Sequence, residues 1–285
     1  METDLHNKEK NTAPALLGRR ETLEYCVQHD CSIARFGGDE MKFVLEGRQP
    51  GFAGLEFQQP DSRLALLLLE ILNEPREGLL LCFNNAFLRE SERRVVLDYE
   101  RDTQSYVRTM SVHREKDIGL LDRAEERREY MKYFDFICRN TSLDRLGDAT
   151  CFDLGYFRRE YEQKKMDDVF ALYKKLFEGR NVVFVAPDQP RIGRSFRALV
   201  KDRIIRSPSQ TGFLSVPERD EFAAYEDLLG KILEFKQADA VFIQAGPTAA
   251  ALAAELAWKH GVRAFDAGTL NVSLDKAAGV HGVFF

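Results

Sequence analysis

The sequence is poor in histidine and lacks the short motifs of several large enzyme classes. It has five histidines in 285 residues. It contains no Gly-x-Ser-x-Gly, His-Glu-x-x-His or Walker A pattern, and no complete Gly-x-Gly-x-x-Gly. These absences argue against Ser-His-Asp hydrolysis, histidine-bound zinc and the usual dinucleotide fingerprint.

Other absences narrow the location and the partners. The five cysteines form no Cys-x-x-Cys pair, which indicates buried free thiols in a reducing cytoplasm. The longest leucine-rich run, residues 64–69, is far too short to cross a bilayer. A net charge of −5 argues against a nucleic-acid partner, which needs a basic face. We expect a cytoplasmic protein without a transmembrane segment.

What the sequence does have is a series of short apolar runs, most ending in a polar or glycine-rich turn. Such runs are typical of buried parallel strands, and helical patterns separate most of them, as βαβ units require. The fold class expected is α/β, with a doubly wound, mostly parallel Rossmann-like sheet. The predicted strands are residues 31–36, 79–83, 182–186, 203–205, 241–243 and 262–265.

The remaining residues suggest one domain with a helical middle. Residues 1–13 are polar and predict a disordered tail, which leaves 14–285 as a single α/β domain. Helices are expected over residues 16–29, 39–45 and 62–72. The charge-dense region around 90–178 predicts a helical insertion, which covers the sheet or caps its ligand edge.

The turn after the strand at 241–243 is the most informative segment. Gly246 allows a sharp turn, and Pro247 or Thr248 can start the alanine-rich helix that follows. A helix N-terminus at the carboxyl end of a parallel sheet favours a phosphate group. The alternative interpretation is a plain connection between strand and helix.

The turn at Arg35-Phe-Gly-Gly-Asp-Glu40 is the second candidate site. Gly37 and Gly38 allow a ligand to approach the backbone closely, and Arg35 would neutralise phosphate. Asp39 and Glu40 could hold Mg²⁺ or Mn²⁺ together with substrate phosphates, or Glu40 could be a general base. The alternative is that both acids only favour the first turn of a helix.

Further polar groups end other strands. Asp266 and Gly268 follow the run at 262–265, where an aspartate can orient a ribose or sugar hydroxyl or simply form an Asx-turn. Asp188 lies in a proline-rich turn and is a weaker candidate of the same kind. Ser207 could donate a hydrogen bond to phosphate or cap a helix.

Three of these segments, in this order, resemble the bacterial GT-D-type glycosyltransferases. Residues 33–40, Ile-Ala-Arg-Phe-Gly-Gly-Asp-Glu, are similar to the family's Arg-Phe-Gly-Asp-Gly-Glu. Residues 244–249, Gln-Ala-Gly-Pro-Thr-Ala, precede an alanine-rich helix, as in the family. Residues 265–270, Phe-Asp-Ala-Gly-Thr-Leu, are similar to the family's Asp-Ile-Gly-His-Ile. The resemblance extends from about residue 20 to residue 275.

The resemblance implies a nucleotide-sugar donor and an Asp-x-Glu pair at the metal and diphosphate. Glu40 matches the family's glutamate, but Gly38 stands in place of its aspartate and Asp39 is displaced by one residue. Thr269 replaces the family's histidine. Catalytic and metal-binding roles thus fall to Asp39 and Glu40, with Mn²⁺ or Mg²⁺ as the cofactor. The implied donor-binding residues are Arg35, Gly37, Gly38, Asp188, Ser207, Gly246, Pro247, Thr248, Asp266, Gly268 and Thr269.

The function expected is transfer of a sugar from a nucleotide-diphosphate donor to a hydroxyl of a carbohydrate or glycoconjugate. Two alternatives remain open. One is a non-catalytic protein that binds sugar nucleotides or serves as a scaffold and has lost its metal site, which the Gly38 departure leaves open. The other is a different Rossmann-type nucleotide-dependent enzyme, which the missing dinucleotide fingerprint disfavours.

Overall fold

The computed structural model describes residues 15–74, 76–83, 145–152, 163–187, 193–197, 208–235, 237–268, 270 and 274. The chain divides into a larger unit, residues 17–85 and 147–285, and a smaller one, residues 1–16 and 86–146. In the described part of the smaller unit, strand β1 (Ala15–Leu16) pairs in parallel with Arg145 and Leu146, the first residues of strand β4 (Arg145–Asp148). The candidate site belongs to the larger unit.

A parallel sheet forms the centre of the larger unit. Its strands lie side by side in the order β4-β3-β2-β8-β7-β5-β6, and every described pair is parallel. The expected α/β class with a mostly parallel sheet is confirmed. The strands are β2 (Ser32–Phe36), β3 (Leu79–Phe83), β4 (Arg145–Asp148), β5 (Asn181–Ala186), β6 (Gln210–Ser215), β7 (Ala240–Ile243) and β8 (Ala264–Asp266).

Helices pack on both faces of this sheet, so it is doubly wound. On one face, α1 (Arg19–His29) and α4 (Gln163–Phe177) contribute to an aromatic-rich core in which the rings of Phe242 and Phe265 stack at 4.8 Å between centroids. On the other, α6 (Gly246–His260) packs against β2 and β8 and contacts α2 (Gly38–Glu46) and α3 (Ser62–Asn73). Helix α5 comprises Tyr225–Glu234.

Helix α6 lies close to the sheet because its buried side is built from small residues. Seven alanines lie in or just before it, and those from Ala249 to Ala254 are buried together with Leu252 and Leu256. Alanine has the highest helix propensity and allows the backbone to approach the strands closely. The N-terminus of α6 is therefore held at the carboxyl edge of the sheet.

Three observed strands, β1, β4 and β6, are absent from the sequence-based prediction. Strand β1 has only two residues, and the second of them, Leu16, lies within the predicted helix at 16–29. Residues 145–148 fall in the predicted helical middle, but they form β4. The sequence did not indicate this strand because Leu146 is its one large apolar residue, which gives no apolar run. Strand β6 has mostly exposed or half-exposed side chains and lies at the end of the strand order, so it also lacks an apolar run. The predicted strand at 203–205 and the predicted tail at 1–13 lie outside the described residues.

The predicted helices at 16–29, 39–45 and 62–72 are confirmed as α1, α2 and α3, each with slightly shifted ends. Among the described residues, no helix is both long and apolar enough to span a bilayer.

Candidate active site

The strands that carry the three sequence motifs are neighbours in the sheet. Strand β8 lies between β2 and β7, with Ile33 opposite Phe265 and Ile243 opposite Asp266. Because parallel strands end at the same edge, the turns after these strands lie beside one another. This places the turn after Phe36, the turn after Ile243 and the turn after Asp266 in one site.

Arg35 and Asp266 form the central ion pair of this site. Arg35 Nη1 lies 3.6 Å from Asp266 Oδ1, with 21% of the Arg35 side chain and 3% of the Asp266 side chain exposed. The guanidinium also lies directly against the backbone of Gly268, since a Cβ on Gly268 would overlap with Nη1. The missing side chain at Gly268 is what allows Arg35 to occupy its position.

Of the two carboxylate oxygens of Asp266, one accepts a hydrogen bond and the other has no hydrogen-bond partner among the described residues. Oδ1 accepts a hydrogen bond from the Gly268 backbone N–H at 3.2 Å, so the Asx-turn expected as the alternative is present. Oδ2 is buried, and no described residue donates a hydrogen bond to it. Burial raises the pKa of Asp266 to about 6, although the charge of Arg35 opposes this shift. A buried acceptor without a partner is costly, which favours a ligand contact there.

Glu40 is buried at the start of α2 and faces two other acids. Its Oε2 accepts a hydrogen bond from the backbone N–H of Gly37 at 2.8 Å, the contact expected of a helix-start residue. Burial raises the pKa of Glu40 to about 8, and the carboxylates of Asp266 and Asp39 raise it further than Arg35 lowers it. A carboxyl group that titrates near neutral pH is suited to accept and release a proton.

The two glycines before these acids have different surroundings. A Cβ on Gly37 would lie 3.1 Å from Glu40 Oε2, so the absence of a side chain leaves room for the carboxylate. Gly38 is exposed, and no described atom lies within 4 Å of the position that a Cβ on this residue would occupy. Asp39 is half-buried in the first turn of α2.

The turn between β7 and α6 lies where the sequence indicated. Gly246, at φ +46°, is in the left-handed conformation that makes the sharp turn, and it is the first residue of α6, with Pro247 directly after it. The expected turn at Gly246 and the helix start at Pro247 are thus confirmed to within one residue. Thr248 does not cap, and its fully buried hydroxyl has no hydrogen-bond partner among the described residues.

Two residues of the site are not among those predicted from the sequence. Gln244, directly after β7, is 6% exposed, and neither atom of its amide has a hydrogen-bond partner among the described residues. The sequence could have indicated Gln244, since it is the first polar residue after the buried apolar run. The sequence gives no indication that Phe57 belongs to the site, because this residue is far from the motifs along the chain. In the folded chain its ring lies 2.8 Å from the position that a Cβ on Gly246 would occupy.

Three of the residues predicted from the sequence have no described position. Asp188, Ser207 and Thr269 lie outside the residues that the structure describes. The other candidate residues form two groups at the same edge of the sheet. The first group, at the ends of β2 and β8, consists of Arg35, Gly37–Glu40, Asp266 and Gly268. The second, at the end of β7, is Gly246–Thr248.

Comparison with known proteins identifies the family. Residues 33–276 match the family described as glycosyltransferase GT-D fold. The chain belongs to this GT-D glycosyltransferase family. The match begins at Ile33 in β2 and continues past Asp266 in β8, so it includes every strand end that builds the site.

Individual relatives of the GT-D chain are distant. Glycosyltransferase GlyD of Streptococcus pneumoniae serotype 4 is 22% identical over 256 residues, which are 89% of this chain and 26% of that protein. The chain thus spans about a quarter of the length of this curated relative.

Two solved structures share the fold. A domain of unknown function 1792 with a distinct glycosyltransferase fold superimposes with a TM-score of 0.64 at 20% identity and covers 96% of this chain and 85% of its own. A glycosyltransferase of the same domain type from Streptococcus sanguinis gives a TM-score of 0.65 at 19% identity and covers 95% and 88%.

The acids of this GT-D site are compatible with a divalent cation that also contacts a ligand. Among the described residues, no group of three or more His, Cys, Asp or Glu side chains is arranged to hold a metal ion by itself. Mg²⁺ commonly takes only one or two carboxylates and completes its shell with phosphates and water. The mutual repulsion between Glu40 and Asp266, and the unpartnered Asp266 Oδ2, fit such an ion.

The raised pKa values predict that alkaline pH destabilises the free protein. Glu40 titrates at about 8 and Asp266 at about 6 in the folded chain, above the ordinary values of 4.5 and 3.8. The folded state therefore binds more protons than the unfolded state, and stability falls as pH rises from about 5 to 8. One pKa unit is about 1.4 kcal/mol.

The check is the melting temperature measured from pH 5 to pH 8.5 for the wild type and for Glu40→Gln. Because 1 kcal/mol shifts the melting temperature of a domain of this size by roughly 2–4 °C, we expect the wild type to lose on the order of 10 °C over this interval, and the variant to lose clearly less above pH 6.5. Equal slopes for both proteins would show that Glu40 ionises normally.

Proposed function

We propose that this GT-D protein transfers a sugar from a nucleotide-diphosphate donor to a hydroxyl of a carbohydrate or glycoconjugate. One observation carries the proposal. Buried polar atoms from Arg35, Gln244, Thr248 and Asp266 lack partners among the described residues, and these residues stand at neighbouring strand ends or in the helix turn that follows one of them. Buried polar atoms without partners are uncommon, and several at one sheet edge are typical of a ligand site.

The donor diphosphate is proposed to lie between Arg35 and the N-terminus of α6. The first turn of a helix has backbone N–H groups without intrahelical acceptors, and the helix dipole adds positive potential there. Helix α6 has 15 residues, so this dipole is well developed. Negative charge grows on the diphosphate as the sugar departs, and fixed donors that face this charge lower the barrier.

Asp266 is proposed to orient the donor. Its Oδ1 is held by Gly268 and lies near Arg35, which leaves Oδ2 as an acceptor for a hydroxyl of the ribose or the sugar. A carboxylate whose other oxygen is fixed cannot swing away when the ligand binds. Gln244 adds an amide with both a free donor and a free acceptor among the described contacts.

Glu40 is proposed as the general base toward the acceptor hydroxyl. As the hydroxyl oxygen attacks the anomeric carbon, its proton passes to a carboxylate oxygen of Glu40. The hydrogen bond from Gly37 fixes this carboxyl, and burial raises its pKa to about 8, near neutral pH.

A divalent cation, Mn²⁺ or Mg²⁺, would be held by Asp39 and Glu40 with Asp266 close by, in which case it would neutralise the diphosphate. Asp39 is half-buried beside Glu40, and its charge contributes to the raised pKa of Glu40. Base and cation ligand are alternative roles for Glu40.

The second candidate function is binding of a sugar nucleotide without transfer. The observation in its favour is Gly38, an exposed residue without a carboxylate at the position where the family resemblance implies an aspartate. Donor binding by the wild type without release of the nucleoside diphosphate, across a set of acceptors, would support this function instead.

Thermal stabilisation by candidate donors tests the proposal. We expect a uridine-diphosphate or related nucleotide-diphosphate sugar to raise the melting temperature more than NAD does, because the chain lacks the dinucleotide fingerprint. At about 100 times its Kd a ligand adds roughly 2.7 kcal/mol of stability. The panel is measured with and without Mn²⁺, which also tests the cation. Stabilisation by NAD or NADH alone would contradict the glycosyltransferase assignment for this chain.

A further inference from the structure

Two buried thiols lie in contact at the end of α1, outside the proposed sugar-transfer site. Cys26 Sγ and Cys31 Sγ are 3.4 Å apart and share a hydrogen bond. A disulfide needs a separation of about 2.05 Å, so side-chain movement of little more than 1 Å brings the sulfurs to bonding distance. Cys26 is fully buried, whereas Cys31 is 5% exposed and is thus the more accessible to a small oxidant.

The segment between the two cysteines is fixed by Arg263, at the approach to β8. Its Nε donates to the Cys31 carbonyl oxygen at 3.2 Å, and its Nη2 donates to the Cys26 carbonyl oxygen. Its Nη1 contacts Asp30 Oδ1 at 2.7 Å. Asp30 ends α1 in the left-handed conformation, at φ 53°. One buried guanidinium therefore holds both cysteine backbones in the geometry that keeps the thiols together.

The environment makes the two thiols unequal. The hydrogen bond with Cys26 lowers the pKa of Cys31, and the charge of Arg263 lowers it further. Burial raises the pKa of Cys26. The thiolate is the form that reacts with oxidants, so Cys31 is the first to react and Cys26 is the resolving thiol.

The other described cysteines provide a contrast. Cys82 Sγ contacts the Leu80 carbonyl oxygen at 3.8 Å, and Cys151 is fully buried. Burial raises the pKa of both thiols. Neither has a hydrogen bond to another sulfur in the described part of the chain. Both are internal controls in the same protein.

We infer that Cys26 and Cys31 form an oxidation site, at which a peroxide converts the thiol pair to an intramolecular disulfide. The Cys31 thiolate attacks one peroxide oxygen and breaks the O–O bond, which gives a sulfenic acid and hydroxide. The Cys26 sulfur then attacks the Cys31 sulfur and displaces the sulfenic oxygen as hydroxide, which is protonated to water. Hydrogen peroxide is reduced to two waters, and the two thiols lose two electrons and two protons.

Peptide mapping tests this inference directly, because trypsin cuts after Arg20 and Arg35 and leaves both cysteines in one peptide, residues 21–35. The folded protein is treated with hydrogen peroxide, alkylated, digested and analysed by mass spectrometry. We expect this peptide to become about 2 Da lighter, to resist alkylation, and to recover both thiols after dithiothreitol. Cys82 and Cys151 lie in other tryptic peptides and are expected to remain alkylatable.

Variants separate the pair from general oxidation. Cys31→Ser removes the reacting thiol, and the light form of the peptide should disappear. Cys82→Ser is the matched control and should leave it unchanged. The inference is overturned if wild-type peptide 21–35 stays reduced under conditions that oxidise Cys82 or Cys151, or if Cys31 accumulates only higher oxides without the disulfide. The main measurement uses the wild-type chain, so it does not depend on the folding of a variant.

Discussion

Replacement of Glu40 by Gln is expected to abolish sugar transfer and to leave the protein folded. The amide has nearly the shape of the carboxyl group, so the packing at the start of α2 is kept. It cannot accept a proton, and it is a poor ligand for a hard cation. General-base catalysis contributes about 10²- to 10⁴-fold, so kcat should fall by at least about 10²-fold. The measurement is release of the nucleoside diphosphate with a donor found in the thermal panel.

The chain offers a close control for the helix-capping role of Glu40. Glu21 stands at the same position of α1 and accepts a hydrogen bond from the backbone N–H of Gly18 at 2.6 Å, as Glu40 does from Gly37. Glu21 is exposed, whereas Glu40 is buried among the charges of the site. Glu21→Gln should therefore share any small loss from weaker capping and keep full turnover.

The two variants together separate the two interpretations of Glu40. If both retain wild-type turnover, Glu40 is only a helix-start residue and the catalytic assignment is wrong. If Glu40→Gln unfolds while Glu21→Gln does not, circular dichroism will show it, and Glu40→Asp then serves as the folded test. In that variant, a shifted pH optimum would indicate that Glu40 is the base, and a changed Mn²⁺ requirement would indicate that it is a cation ligand.

The sequence is most informative where a strand is buried on both faces. Residues 241–243 and 79–83 are continuous apolar runs, and each is a strand of the central sheet. Since parallel strands align their carboxyl ends, the turns after β2, β7 and β8 can be assigned to one edge without knowledge of any contact. The helical start at Asp39 and Glu40 is also predictable, because acids and glycine are typical of that position.

What the sequence does not show depends on contacts between distant segments. The proximity of Arg35 to Gly268, and of Phe57 to Gly246, joins residues that are far apart in the chain. The raised pKa of Glu40 depends first on burial and then on the charge of Asp266, a residue from another strand. Strand β4 has no apolar run, and its place in the sheet depends on its pairing with β3, where Gly147 leaves no space for a side chain beside Cys82.

Replacement of Gly268 by Ala is expected to weaken donor binding far more than it weakens the fold. The residue adopts φ +50°, where a side chain is strained by roughly 1 kcal/mol, and the added Cβ would overlap with Arg35 Nη1. The atoms in conflict belong to the far end of a flexible side chain, so the guanidinium can move away. It then leaves its place between Asp266 and the proposed diphosphate. Hydrogen bonds to charged groups contribute about 1.5–3 kcal/mol, so the donor Kd should rise roughly 10- to 100-fold.

Gly261→Ala is the control that isolates backbone strain. Gly261 follows α6 at φ +63°, and no described atom lies within 4 Å of a Cβ at that position. Both variants should lose the stability that alanine costs in the left-handed region, and Gly268→Ala should lose more in chemical denaturation, because only there does Arg35 move away from the buried Asp266. Only Gly268→Ala should lose donor affinity in calorimetry, since only there is Arg35 displaced. Equal donor affinity in the two variants would mean that Arg35 does not bind the diphosphate, and the phosphate site would then have to be sought at the N-terminus of α6 alone.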